Sequence, residues 1–148
     1  MIVKLHWKHM LPVFLGVFGI VILDRLTKML ILSGQTLDAG FLSFHFVTNT
    51  GASFGMLQGW NAVFIAVSIV VLGILAFYYK TIPPAPLMLI TGGVLGNLLD
   101  RIFFGFVIDF IDFKFFPVFN IADSAISIGV FVWILLLLLK KRISVKKL

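Results

Sequence analysis

Residues 92–129 read GGVLGNLLDRIFFGFVIDFIDFKFFPVFNIADSAISIG, and this stretch decides how the chain is built. It sets Asp100, Arg101, Asp109, Asp112 and Asp123 into strongly apolar sequence. Asp109 and Asp123 lie fourteen positions apart, on either side of a Phe-rich segment broken by Pro117. If that segment is a re-entrant or interfacial loop between two membrane helices, both carboxylates arrive at one face of a bilayer. Two carboxylates in a partly apolar site resist double ionisation and share a proton. One can then deprotonate a water while the other protonates or hydrogen-bonds a carbonyl.

The rest of the composition agrees with a membrane setting. Of 148 residues, 61% are hydrophobic and 12% charged, and the mean hydropathy is +1.15. Such a chain is not a soluble domain but an all-α integral membrane protein, one domain over residues 1–148. Glutamate is absent, so all six acidic residues are aspartates, and four of them fall within the opening stretch. The net charge of +6 sits mainly at the two ends, which suits membrane orientation better than nucleic-acid binding. With no cysteine, disulfides, thiol catalysis and zinc–thiolate sites are excluded.

Apolar runs and turn residues predict four spanning helices, at 10–32, 60–79, 87–104 and 122–139. The leader MIVKLHWKH is basic and lacks a small-residue cleavage site, so the first helix is expected to be retained. Its apolar run is long enough for a hydrocarbon core of about 30 Å. Late in that helix Asp24 and Lys28 stand four apart on one face, where they can pair. Such charges either fix helix packing or serve a buried site. Residues 33–59 contain no Lys or Arg, and FLSFHFVTNT within them predicts one or two short strands. Asn49 to Gly55, NTGASFG, is rich in small residues that permit close backbone approach, or is simply a polar turn. His45 has no second histidine nearby to complete a metal set.

Trp60 and Tyr78-Tyr79 are interface anchors for the second helix, and KTIPPAP at 80–86 is a Pro-rich turn. Gly92 and Gly96 form a small-xxx-small pair for close helix packing. Residues 105–121 are expected to be a short loop. By the positive-inside rule both termini are cytoplasmic and the loops at 33–59 and 105–121 lie outside. Asp24, Lys28, Asp100, Arg101, Asp109 and Asp123 then converge on the outer leaflet. Each residue also has a plainer reading. Asp109 could be an interfacial carboxylate exposed to water, Asp123 a first-turn helix cap, and Asp100-Arg101 a helix-end ion pair. Asp112 beside Lys114 reads as solvated. Asn97, one turn before Arg101, fits either an ion-pair or a binding role. A small transporter or scaffold would use the same charges differently, but no internal repeat supports a midplane ion path.

At these residues the chain resembles the lipoprotein signal peptidases, the type II signal peptidases, which are intramembrane aspartyl proteases. DRLTK (24–28), NTGASF (49–54), GNLLDR (96–101), VIDF (107–110) and FNIAD (119–123) are similar to the family's motifs, in the same order. The resemblance implies that Asp109 and Asp123 are the catalytic dyad. It implies substrate binding by Asn49, Asn97, Arg101 and Asn120, and supporting roles for Asp24, Lys28, Gly51 and Asp100. Arg25 and Ser53 depart from the family's usual Gln and Ala. The implied reaction removes the signal peptide from a diacylglyceryl-modified prolipoprotein, before the lipidated cysteine, with no cofactor or metal. The implied setting is a monomer among the lipids of a bacterial cytoplasmic (inner) membrane.

Overall fold

The computed structural model describes residues 3–51 and 59–145, with side chains over 10–51 and 59–140. The basic side chains of the leader, Ala52 to Phe54 of the NTGASF motif (Ser53 included) and the side chains of the tail beyond Lys140 lie outside what is described. The elements run α1 (Val3–Leu32), β1 (Leu37–Asp38), β2 (Ser43–Asn49), α2 (Asn61–Phe77), α3 (Pro84–Phe104), β3 (Val107–Asp112) and α4 (Ile121–Val145). Among the described residues three apolar helical stretches are long enough to cross a membrane: Met10–Leu32, Pro84–Phe104 and Ile121–Lys140. The first matches the expected span 10–32. Helix α2 is apolar throughout but has 17 residues.

Helix α3 begins at Pro84, three residues before the expected start, with Pro83 as its N-cap. A proline in the first turn loses only an N–H that has no intrahelical partner, so the Pro-rich turn opens the helix. The helix ends at Gly105, whose φ of 80° is left-handed and whose N–H donates to Arg101 O at 3.2 Å. That turn sends the chain into VIDFID. In place of the loop expected over 105–121, Val107–Asp112 is a strand, paired antiparallel with β2 (Val47 opposite Asp109, Asn49 opposite Val107). Its β-branched residues favour a pleated backbone. Because Val107 to Phe110 are buried on both faces, the alternation that announces a half-exposed strand is missing. The result is a small sheet of order β1-β2-β3.

The apolar core of Val13, Leu75, Ile82, Leu87, Ile90 and Val94 lies toward one end of the bundle. The polar residues collect at the other, where α1 and α3 end and α4 begins. Glycines on α3 bring these helices close. A Cβ on Gly92 would lie 2.8 Å from Ile20 Cβ on α1. One on Gly96 would lie 2.9 Å from Asp24 Oδ2 and 3.1 Å from Ala122 Cβ. One on Gly93 would run into the backbone carbonyl of Ala122. Backbone cannot turn aside as a side chain can, so Gly93→Ala is expected to destabilise by about 1–3 kcal/mol. Thermal unfolding in detergent checks this against Gly19→Ala, where a Cβ meets nothing within 4 Å and no loss is expected.

Candidate active site

Asp109 enters the site from the middle of β3, and Asp123 from the first turn of α4. Asn120 caps α4: its Oδ1 accepts the Asp123 N–H at 2.8 Å, and Asp123 Oδ2 accepts the Asn120 N–H at 3.3 Å. This reciprocal pair is a capping box with Asp in the usual Glu position. The plain helix-cap reading of Asp123 therefore holds, and it does not compete with a chemical one, because Oδ1 remains on the site side. There it accepts Asn97 Nδ2 at 2.7 Å.

Asp109 is held from two directions. Asn120 Nδ2 donates to Oδ1 at 2.6 Å, and Asn49 Nδ2 donates to Oδ2 at 2.9 Å. It is not a water-exposed interfacial carboxylate, since only 2% of it is exposed. Burial, reinforced by the neighbouring Asp123 charge, pushes its carboxyl up to about 7. The hydrogen bonds from Asn49 and Asn120 and the Lys28 charge act in the opposite sense. Both aspartates line a cavity of about 560 Å³ shared with Asn49, Gly51, Arg101, Phe116 and Ser127. Gly51 N–H donates to Asn49 Oδ1 at 3.0 Å, which orients the amide that reaches Asp109.

Two of the four residues expected to touch substrate do not reach the cavity. Asn97 and Asn120 are buried, 6% and 0% exposed, and spend their amides on the aspartates and on each other. Their sequence positions are polar like those of Asn49 and Arg101, but they face inward, and only packing shows that. Asn49 and Arg101 do line the cavity. Arg101 lies 5.0 Å from the Phe64 ring and reaches Gly51 O at 3.5 Å.

The Asp100–Arg101 ion pair does not form, because Asp100 turns toward the cations of α1 while Arg101 turns to the cavity wall. Asp100 instead bonds Lys28 Nζ at 2.7 Å and Arg25. Lys28 Nζ also bonds Asp24 Oδ2 at 2.8 Å, the expected i,i+4 pair, and Asn97 Oδ1 at 3.3 Å. Arg25 NH2 meets Asp24 and the Gly96 carbonyl as well. Two buried anions and two cations thus form a neutral cluster beneath the aspartates, as burial requires. Arg25 is a member that sequence reasoning does not include; a third charge next to Asp24 inside an apolar span is its signal. Asp112, expected to be solvated, is largely covered and bonded to Lys114 and Ser43 at the far end of β3. Among the described residues no group of His, Asp and Glu is placed to hold a metal ion.

Known proteins resemble this chain in sequence and in fold. The profile of the signal peptidase (SPase) II family matches residues 17–139. A lipoprotein signal peptidase of Halothermothrix orenii is 38% identical over 143 residues, 89% of this chain and 99% of that one. Another, from Syntrophomonas wolfei, is 42% identical over 131 residues, covering 81% and 88%. A solved bacterial membrane enzyme superposes with a TM-score of 0.78 at 33% identity, over 88% of this chain and 89% of the other. The chain belongs to the signal peptidase II family of membrane proteases.

Proposed function

We propose that the chain is a single four-span domain in a bacterial cytoplasmic membrane that removes signal peptides from diacylglyceryl-modified prolipoproteins. Cleavage falls just before the lipidated cysteine, with Asp109 and Asp123 as the catalytic dyad. The observation that carries this reading is the two carboxylates lining one cavity, Asp109 buried and raised to about 7 and Asp123 half-buried. In the working form the pair holds one proton. The ionised carboxylate takes a proton from water as it attacks the scissile carbonyl, and the protonated partner then supplies the leaving amine. Asn97 and Asn120 hold the carboxylates in place, while Asn49 and Arg101 face the peptide.

Helix α2, at 17 residues, stands at the short end of the roughly 17–25 that span a bilayer, and it completes four crossings. An even number puts both termini on one side. The basic ends favour the cytoplasm and place the site at the outer surface. A lipidated substrate arrives within the membrane plane, its acyl chains between helices and its scissile bond at the interface. The enzyme works as a monomer on this reading.

The test uses purified protein in lipid, with a diacylglyceryl-modified prolipoprotein and its unlipidated counterpart, read by mass spectrometry. Signal-peptide release from the lipidated form alone is expected; no release from a folded sample would remove the reading. Arg101→Lys keeps the charge but loses the planar fork that grips a carbonyl and stacks on Phe64. It is expected to raise KM about tenfold, roughly 1.4 kcal/mol of binding, with a smaller change in kcat. Steady-state kinetics on the same substrate checks it.

A further inference from the structure

The neutral cluster beneath the site does more than balance charge. Asp24 Oδ1 accepts the backbone N–H of Ala122 at 3.0 Å, and Asp100 Oδ2 accepts the backbone N–H of Ile108 at 3.1 Å. Ala122 immediately precedes Asp123, and Ile108 immediately precedes Asp109. The two anchors are joined, because Lys28 Nζ lies 2.8 Å from Asp24 Oδ2 and 2.7 Å from Asp100 Oδ2. Arg25 makes a second bridge between the same two carboxylates. All three of Asp24, Lys28 and Asp100 are essentially inaccessible to solvent.

The placement has a structural logic. Ala122 lies in the first turn of α4, where a backbone N–H has no partner within its own helix. Ile108 sits in a strand that has β2 on one side only. Both amides therefore need an outside acceptor, and both receive one from a carboxylate held in the same ion-pair cluster. A backbone fixed at residue i−1 leaves the carboxylate at residue i little freedom beyond its own rotamer. Asn97 extends the linkage upward, accepting from Lys28 and donating to Asp123.

Building on the dyad reading, we propose that Asp24 and Asp100 are positioning residues for catalysis. Each clamps the amide just before one dyad aspartate, and the Lys28 bridge sets the separation of the two clamps and so of the two carboxylates. Neither touches substrate. A displacement of about 1 Å in reacting groups can lower turnover about a hundredfold, so the clamp acts on kcat and leaves binding in the cavity nearly intact.

The experiment compares Asp24→Asn with Asp24→Leu, and Asp100→Asn with Asp100→Leu, in the full chain in lipid, on the diacylglyceryl-modified prolipoprotein. Asn keeps an oxygen that accepts the amide, whereas Leu has similar volume and no acceptor. With rates normalised to folded protein, the Leu variants are expected to lose about a hundredfold or more in kcat with KM within threefold. The Asn variants are expected to stay within about tenfold of the parent. Leu variants that fold and turn over within threefold of the parent overturn the proposal, as does an Asn variant no better than its Leu counterpart. A purely stabilising role would lower the folded yield and leave kcat per folded molecule unchanged, which also overturns it. If a Leu variant does not fold, amide exchange in the parent decides: Ala122 and Ile108 are expected to exchange at least a hundredfold slower than unprotected amides, and fast exchange at either overturns the clamp. A parent that cleaves and is silenced by Asp109→Asn, together with indifferent Leu variants, removes only the clamp. A parent that cleaves nothing removes the dyad reading and the clamp with it.

Discussion

Asp109→Asn is expected to abolish cleavage while making the protein more stable at alkaline pH. The loss of turnover follows from the chemistry. An amide can neither carry the shared proton nor accept one from water, and general acid–base catalysis by such a group is worth about a hundred- to ten-thousandfold. Among the described residues no other carboxylate or histidine lines the cavity, so a loss at the upper end is expected, and Asp123→Asn should match it. The change in stability has the opposite sign. The Asp109 carboxyl is raised by burial from its ordinary 3.8 to about 7. Between those values the folded state holds a proton that the unfolded state has released, so stability falls as pH rises from about 4 to about 7 and levels off above. At about 1.4 kcal/mol per unit, the parent loses on the order of 4 kcal/mol across that window. Asn does not titrate and escapes this loss. It does present one N–H2 toward a donor amide of Asn49 or Asn120, which costs about 1–3 kcal/mol. The larger effect wins at pH 8, where the variant should melt above the parent. At pH 5 most of the advantage is gone. Thermal unfolding at the two pH values, beside the cleavage assay, checks both halves; a variant with parental turnover would remove Asp109 from the dyad.

Turnover itself is expected to fall about tenfold per pH unit above 7, reaching about a hundredfold by pH 9. Above that point the pair loses its shared proton, and two charged carboxylates offer a base but no acid to release the amine. The dependence can be moved. Asn49 donates to Asp109 Oδ2 and lowers its proton affinity, so Asn49→Ala should shift the alkaline limb to higher pH. Substrate saturation across pH 5–9 measures it. A limb that stays put in Asn49→Ala would mean that another group governs the loss.

Much of the fold and of the site is legible in the amino-acid sequence. The span 10–32, the Asp24–Lys28 pair and strands after the first helix follow from local rules, namely apolar length, i,i+4 geometry and β-branched content. Asp109 and Asp123 stand out because a carboxylate in apolar sequence needs a reason. What escapes is of another kind. Strand β3 is hidden because a strand buried on both faces loses its alternation. The family resemblance names Asn97 and Asn120 as substrate contacts, and sequence does not show that their amides face the aspartates. Arg25 reads as a mere departure from a motif, although it closes a charge balance with Asp100, which lies 75 residues away in the chain.

The sequence by itself determined that this chain belongs to a membrane and which aspartates are chemically out of place, because composition and local patterning need no tertiary contact. The tertiary structure alone decided which acceptor each buried donor meets. It took the capping oxygen of Asp123 away from the site and turned its other oxygen toward it, where Asn97 holds it. It also put Asp24 against the amide before Asp123 and Asp100 against the amide before Asp109. Those pairings depend on helices meeting over glycines at 93 and 96 and on a strand paired across the chain. In an apolar interior every buried polar group must find a partner wherever packing puts one.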